Sequence, residues 1–480
     1  MDKNSLLLVT GATGYVGGQL LKALEKDGRR VRCLVRNPDT LAPPAGRNTE
    51  VLSVDVLDGK NLVLALDGVH TAYYFIHSMT SIGDFAVEDR RCARNFGNAA
   101  REAGVKRIIY LGGLGDDSDG LSPHLKSRHE VGDVLRESGV PVVEFRASVV
   151  IGAGSLSFEL IRSLVQRLPA MITPRWVNNP TQPIGIGDLL QYFLAALDLP
   201  DGGNRLFEIG GPDVVSYGDL MKEYMRQRGV KRLMIPVPFF TPRMSGVWLK
   251  LVAPSYARVG EKLIESLRNP TVIRDPSALS AFSIRPKGVK ETISRALTEE
   301  DVGFASTHWT EAFRLRRNLR RWGGAILGSR IVDHRRVFVP ATPEEAFRSI
   351  QRIGGDHGWY FADFLWDFRG ILDRIAGGPG MRGRVHPVEL KTGDTIDFWR
   401  VEYFEPGKEL LLRSELNLPG RAWLQFEIMP VEGGSLIGQT ALYDPMGLLG
   451  FLAWYVLYPF HMMIFAGMIR AVARRAEEPV

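Results

Sequence analysis

Apolar positions in the first 150 residues fall into short unbroken runs separated by stretches of helical spacing. The runs lie at 6–9, 31–35, 51–54, 71–76, 107–111 and 142–146. Continuous apolar runs of this length, alternating with amphipathic segments, predict strands buried on both faces and joined by crossover helices. The expected architecture is therefore a doubly wound parallel sheet, which binds ligands at the carboxyl ends of its strands.

The first run ends in Thr10-Gly11-Ala12-Thr13-Gly14-Tyr15-Val16-Gly17, and Leu20, Leu21 and Leu24 continue it as the apolar face of a helix. Three glycines spaced three apart between a strand and a helix have separate tasks. Gly11 permits the sharp turn, Gly14 lets a pyrophosphate approach the backbone, and Gly17 lets the helix pack close to the strand. The helix N-terminus offers N–H groups to the phosphates. A dinucleotide is the implied ligand. Arg36 closes the second strand, with Asn37 next and no acid. A carboxylate there would bond a ribose 2′-hydroxyl, whereas an arginine pairs with a 2′-phosphate, so the pattern favours NADP(H), with NAD(H) as the alternative. Asp55 ends the third strand, where it could accept from the adenine amino group or cap a turn.

At 480 residues the chain is too long for one ordinary domain. The net charge of +6 is modest for that length and does not point to a nucleic-acid partner, which needs a concentrated basic face. Cys33 and Cys92 are the only cysteines. They match no metal-ligand spacing, and no metal site or disulfide framework is expected. Met1-Asp2-Lys3-Asn4 runs directly into the first strand, so no secretory signal is expected and a cytoplasmic location is.

Gly11–Gly17, Leu34-Val35-Arg36-Asn37, Val54-Asp55-Val56-Leu57-Asp58 and Arg146-Ala147-Ser148-Val149-Val150-Ile151-Gly152-Ala153-Gly154 resemble the atypical and extended short-chain dehydrogenase/reductases, closest to the NmrA-like branch. The resemblance covers residues 1–300, with a substrate part at about 150–300, and implies a Rossmann-like α/β fold. It implies that Gly11, Thr13, Gly14, Tyr15, Val16, Gly17, Arg36, Asp55, Val56, Ile76, His77, Gly112, Arg128 and Val150 hold the cofactor. Redox members of that family carry a serine after the fifth strand and a Tyr-x-x-x-Lys on the next helix. Here the strand runs into Leu111-Gly112-Gly113-Leu114-Gly115, without that serine. His124 falls on the tyrosine position and Arg128 on the lysine position, one helical turn apart on one face. His124 can exchange a proton near neutral pH, while Arg128 can hold a ribose but cannot itself deprotonate. These two are the catalytic candidates, and His77 and Ser78 are further groups that could face the nicotinamide.

Asp188 reads as the N-cap of a helix running through Phe193, and 236–252 is strongly apolar, as core or as pocket wall. Residues 301–330 carry Arg314, Arg316, Arg317, Arg320 and Arg321 among aromatic residues, and read as a basic linker or membrane-surface helix. From 331 to 480 the pattern changes. A strand, a helix opened by Thr342-Pro343, several antiparallel-type strands and an apolar closing helix resemble the START-like (SRPBCC, helix-grip) α+β fold, which often encloses an apolar ligand. Trp359, Trp366, Asp367, Arg369, Gly383, Arg384, Trp399 and Arg400 are candidates for a ligand mouth. Residues 447–469 hold no Asp, Glu, Lys or Arg. That length could cross a bilayer, but the expectation is a closing helix, with peripheral contact at an inner membrane as an accompanying possibility. The expected activity is NAD(P)H-dependent oxidoreduction of a hydrophobic small molecule such as a quinone, isoprenoid or lipid-like carbonyl. The alternatives are a non-catalytic NADP(H) sensor or assembly factor, and a membrane-surface lipid-binding protein. The sequence pattern says nothing of oligomeric state.

Overall fold

The computed structural model describes residues 2–38, 41, 48–77, 84–116, 120–168, 170–237, 265–302, 324–327 and 330–477. The chain divides into two compact units, Met1–Val165 with Ala170–Thr310, and Gln166–Pro169 with Glu311–Val480.

In the first unit the elements run β1 (Leu6–Thr10), α1 (Tyr15–Lys26), β2 (Arg30–Val35), β3 (Thr49–Ser53), α2 (Leu62–Leu66), β4 (Val69–Tyr74), α3 (Phe85–Glu102), β5 (Arg107–Gly113), α4 (Pro123–Glu137) and β6 (Val142–Ala147). There follow β7 (Val150–Ile151), α5 (Leu156–Arg167), β8 (Ala170–Thr173), β9 (Pro180–Thr181), β10 (Ile184–Gly185), α6 (Ile186–Ala195), β11 (Arg205–Ile209), β12 (Val215–Ser216), α7 (Tyr217–Arg228), β13 (Leu233–Pro236), α8 (Ser277–Ala281) and α9 (Val289–Val302). The main sheet has the order β11-β6-β5-β4-β1-β2-β3, and every pairing in it is parallel. Alternate strand residues feed two apolar layers. Leu7, Val9, Tyr73, Ile109 and Phe145 pack with α1 and α6. Leu8, Ala72, Tyr74, Ile108 and Tyr110 pack with α2, α3 and α4. Cover on both faces explains why the strands read as unbroken apolar runs. The chain order reverses direction between β1 and β4, where a doubly wound sheet opens its ligand crevice.

Two expectations shift. β4 begins at Val69 and ends at Tyr74, so Phe75 and Ile76 leave the sheet and enter the loop at its carboxyl edge. Asp188 is not the N-cap of α6; Gly185 holds that position. The buried Asp188 carboxylate instead accepts the Lys287 backbone N–H at 2.9 Å. Cys33 and Cys92 are buried free thiols, each pushed up to about 12 by burial, and fit the role of small core residues. Ser78, residues 238–252 and the basic stretch 303–323 lie outside the described residues.

The second unit contains β14 (Ala325–Leu327), β15 (Arg330–Val339), α10 (Pro343–Gln351), α11 (Asp363–Ile375), β16 (Thr395–Ile396), β17 (Trp399–Glu405), β18 (Glu409–Ser414), β19 (Gly420–Val431), β20 (Gly434–Pro445) and α12 (Gly447–Glu477). Its sheet, ordered β14-β15-β20-β19-β18-β17-β16, is antiparallel throughout. Thr342 caps α10 in a reciprocal capping box with Glu345, with Pro343 in the first turn. Phe465, Met468, Val472 and Ala476 of α12 pack into the core with Phe426 and Ile437. Trp359, Trp366 and Trp399 are 1%, 6% and 6% exposed. They stack with one another and with Phe398, so they form an aromatic core where a mouth was expected. Arg384 donates to the Ile353 carbonyl, and Arg400 pairs with Glu415.

Candidate functional site

The β1–α1 turn is built from close backbone approaches. Gly11 has φ +67°, and a Cβ there would lie 2.7 Å from the Phe75 carbonyl oxygen. A Cβ on Gly17 would lie 2.3 Å from the Gly11 oxygen, and one on Gly14 3.2 Å from it. The Gly14 N–H donates to Gly11 O at 2.8 Å, which closes the turn. Gly14 is the N-cap of α1, has no side-chain cap bond, and no acid occupies the first turn. The first N–H groups of a helix lack intrahelical acceptors. This end therefore has the positive polarity and the bare backbone that an anionic pyrophosphate requires.

Thr10 ties the turn to the neighbouring strand. Its hydroxyl donates to Tyr73 O at 3.2 Å and accepts from the Phe75 N–H at 3.0 Å. Ile76 and His77 follow directly, so they stand at the carboxyl edge beside the glycine turn. Thr13 and Val16 are half-buried in it. The Tyr15 hydroxyl is buried without a hydrogen-bond partner, and its ring packs against the Val150–Gly154 stretch, where a Cβ on Gly152 would overlap it. Burial and the charges of Glu299 and Glu159 push the Tyr15 phenol up, so it is not an acid at neutral pH.

At the other side, Arg36 is exposed at the end of β2. Asp55 is exposed and accepts the Leu57 N–H at 2.9 Å, a local turn bond that leaves carboxylate lone pairs over. Val56 is buried, and its carbonyl accepts from Asn95 at 3.1 Å. Gly112 has a different reason for being glycine. A Cβ there would meet Glu144 Oε1 at 2.8 Å. Glu144 is wholly buried and neutralised by Arg136 and Arg146.

His124 and Arg128 share a face of α4, whose start is set by Ser122 accepting the Leu125 N–H and by Pro123 in the first turn. Arg128 is 8% exposed. It donates to the Leu111 carbonyl and lies 4.8 Å from the Tyr110 ring centroid, while its Nη1 is buried without a partner. A guanidinium already fixed at the end of β5, with donors left over, suits a ribose or carboxamide oxygen.

His124 belongs to a hydrogen-bonded chain. Asp89 Oδ2, on α3, lies 2.8 Å from His77 Nδ1. His77 Nε2 lies 2.9 Å from His124 Nε2. His124 Nδ1 lies 2.8 Å from Ser266 Oγ. Asp89 is 1% exposed. A buried carboxylate beside Nδ1 keeps the proton on that nitrogen of His77. Between the two Nε2 atoms there is room for one proton. With His77 neutral, His124 Nε2 donates; with His77 charged, His124 Nε2 accepts and its Nδ1 can donate to Ser266. The arrangement can pass a proton along the row without moving heavy atoms. Sequence reasoning identified His77 and His124 but not Asp89 or Ser266. Ser266 is 142 residues from His124, and neither residue belongs to a recognisable motif.

Comparison with known proteins places these features. Residues 3–164 match the NmrA-like family, and residues 325–468 match the family described as protein of unknown function DUF2867. The chain is 27% identical to sterol demethylase protein B of Methylococcus capsulatus over 221 residues, 45% of this chain and 63% of that protein. It is 32% identical over 114 residues to a 3 beta-hydroxysteroid dehydrogenase/Delta 5-->4-isomerase of Mycobacterium tuberculosis, 22% of this chain and 30% of that one. It is 23% identical to photosystem II assembly factor Ycf39 of Cyanophora paradoxa over 243 residues, covering 48% and 72%. The chain thus spans less than two thirds of the length of the first two. Among solved structures, MoeE5 in complex with UDP-glucose and NAD is 17% identical with a TM-score of 0.49, covering 62% of this chain and 99% of that one. The amino-terminal unit carries an NmrA-like, NAD(P)-binding fold of the short-chain dehydrogenase/reductase type, and residues 325–468 further along the chain match the DUF2867 description.

Proposed function

We propose that the protein is an oxidoreductase that uses NADP(H) and acts on a hydrophobic small molecule, with His124 as its proton-transfer residue. The observation that carries the reading is the Asp89–His77–His124 chain leading from the edge of an uncapped, glycine-lined helix N-terminus. The residues fit the cofactor. The α1 N-terminus and Gly14 would hold the pyrophosphate, Arg36 the 2′-phosphate, Asp55 the adenine side, and Arg128 the nicotinamide ribose. When bound, the dinucleotide supplies hydride-transfer chemistry. His124 Nε2 then gives or takes the matching proton at the substrate oxygen. The proton given is the one the two Nε2 atoms share, so His77 is left with its own proton on Nδ1 and an accepting Nε2, and Asp89 offsets the positive charge when the imidazole pair takes up a proton.

A hydrophobic substrate is supported by the relatives named for sterol and steroid chemistry. It is also supported by the second unit, whose antiparallel sheet around the carboxyl half of α12 is consistent with a START-like ligand module. A cytoplasmic location belongs to the same reading. The test is nucleotide titration by nicotinamide fluorescence, followed by turnover against aldehydes, ketones and quinones. H124A should keep nucleotide affinity and lose about 10²–10⁴-fold in kcat. Failure of the wild type to bind NADPH or NADH would end the proposal. The missing serine and Tyr-x-x-x-Lys favour a second reading, a nucleotide-binding sensor or assembly factor, in keeping with the Ycf39 similarity. Such a protein would bind the nucleotide and turn over nothing on the panel.

A further inference from the structure

Two helices of the second unit present apolar side chains outward. On α11, Phe364, Phe368, Ile371 and Ile375 are 70%, 57%, 58% and 79% exposed. They recur at three- and four-residue steps and so form one stripe. On the amino-terminal half of α12, Leu449, Leu452, Val456, Phe460 and Met463 form a second stripe, each between 46% and 72% exposed.

The two helices are tied together near both ends. At one end Phe361, just before α11, packs on Gly467 of α12, where a Cβ would overlap its ring. At the other end the loop after β18 joins both helices. Asn417 donates to Asp373 and to Ala376 O at the end of α11, and Pro419 O accepts the Met446 N–H at the start of α12. The helices therefore run antiparallel. Together the exposed apolar side chains offer on the order of 1,000 Å², roughly two to three times the largest apolar patch usual on a soluble monomer.

We propose that this two-helix face inserts into the interfacial region of a phospholipid bilayer. The inward side of α12 is anchored to protein. Trp454 and Tyr458 pack with Ile331 and Tyr443, and from Phe465 onward the helix enters the core of its own unit. The helix is long and apolar enough to cross a membrane by composition, with 22% of that window buried. Its packed side and buried carboxyl half give it the geometry of a helix lying in the membrane plane instead. A protein partner would need polar groups to fix its position, at about one hydrogen bond per 100–200 Å² of interface. The five side chains of the α12 stripe carry none, and from Gly447 to Ile469 the polar side-chain groups are confined to Trp454, Tyr455, Tyr458 and His461. The exposed cations Arg374 and Arg470 stand at opposite ends of the pair, placed to meet lipid headgroups, with Asp363 and Asp367 at the amino end of α11.

The full chain is floated with phosphatidylcholine vesicles and with vesicles containing phosphatidylglycerol. L452E on α12 and F368E on α11 are made separately, with circular dichroism and nucleotide affinity confirming the fold. The wild type should float with both vesicles, more completely with phosphatidylglycerol, and each variant should lose most of its flotation. Three results would overturn the proposal: a wild type that stays at the bottom with both vesicles; variants that float as the wild type does; or a wild-type dimer that the same substitutions dissolve, which would assign the face to a second copy. The proposal is independent of the reading of the amino-terminal unit, since flotation is scored without any turnover.

Discussion

Gly17→Ala tests the geometry on which nucleotide binding rests. The added Cβ would lie 2.3 Å from the Gly11 carbonyl oxygen, whereas ordinary contact begins at 3.4 Å. Both the atom met and the helix that carries the new methyl are backbone, so the strand-to-helix turn must open by about an ångström. Overpacking of this kind costs about 1–3 kcal/mol of stability. Displacing the α1 N–H groups also weakens charge-assisted bonds to phosphate, each worth about 1.5–3 kcal/mol, so affinity should fall by roughly 10–100-fold. Gly28→Ala is the comparator. It has φ +73° but nothing within 4 Å, so it adds backbone strain of about 1–2 kcal/mol without touching the site. Thermal melts and NADPH titration of the two variants separate the effects: both lose stability, and only G17A loses affinity. A G17A protein that binds NADPH within twofold of the wild type would refute the reasoning.

R36A should weaken NADPH binding by roughly 10–100-fold and leave NADH within a few-fold, since one charge-assisted contact to the 2′-phosphate is lost; parallel titrations check it. In the second unit, burial and Arg369 lower His461 to about 4, and its ring lies between Trp454 and Phe465. The unfolded chain takes up that proton near pH 6.5, so stability falls as pH drops from 6.5 through 4 and levels off below. H461F should flatten that part of a denaturation-against-pH curve. Burial raises Glu427 to about 9. The fold keeps this carboxyl protonated while the unfolded chain ionises it near pH 4.5, so stability falls as pH rises from 4.5 to 9. E427Q should be more stable than the wild type, by a margin that widens across that range in urea unfolding.

The amino-terminal sheet was legible because its signals are local. Gly11, Gly14 and Gly17 are dictated by approaches within one turn, and strands buried on both faces show as apolar runs. The end of β4 was misplaced because Phe75 and Ile76 are as apolar as the strand they leave, and only the Thr10 bonds show where pairing stops. The site was half legible. His124 and Arg128 follow from the family resemblance, which aligns them with its tyrosine and lysine positions, but Asp89 joins the row only because α3 and α4 pack together. In the second unit Trp359, Trp366 and Trp399 read as a ligand mouth alongside the START-like resemblance; the fold turns the rings inward, where they stack on one another. Composition also treats 447–469 as uniform, whereas packing divides α12 into a half-exposed amino half and a buried carboxyl half.

The central claim is that a dinucleotide held at the α1 N-terminus meets a proton relay of two imidazoles. Ring ¹⁵N spectra of histidine-labelled protein, recorded while NADP⁺ is titrated, test it most directly. Before addition, His77 should show a protonated Nδ1 and the two Nε2 nitrogens a shared proton. At saturation the His77 and His124 signals should move together, and in G17A they should stay in place at the same nucleotide concentration. Nucleotide binding that leaves both imidazoles unperturbed in the wild type would contradict the account.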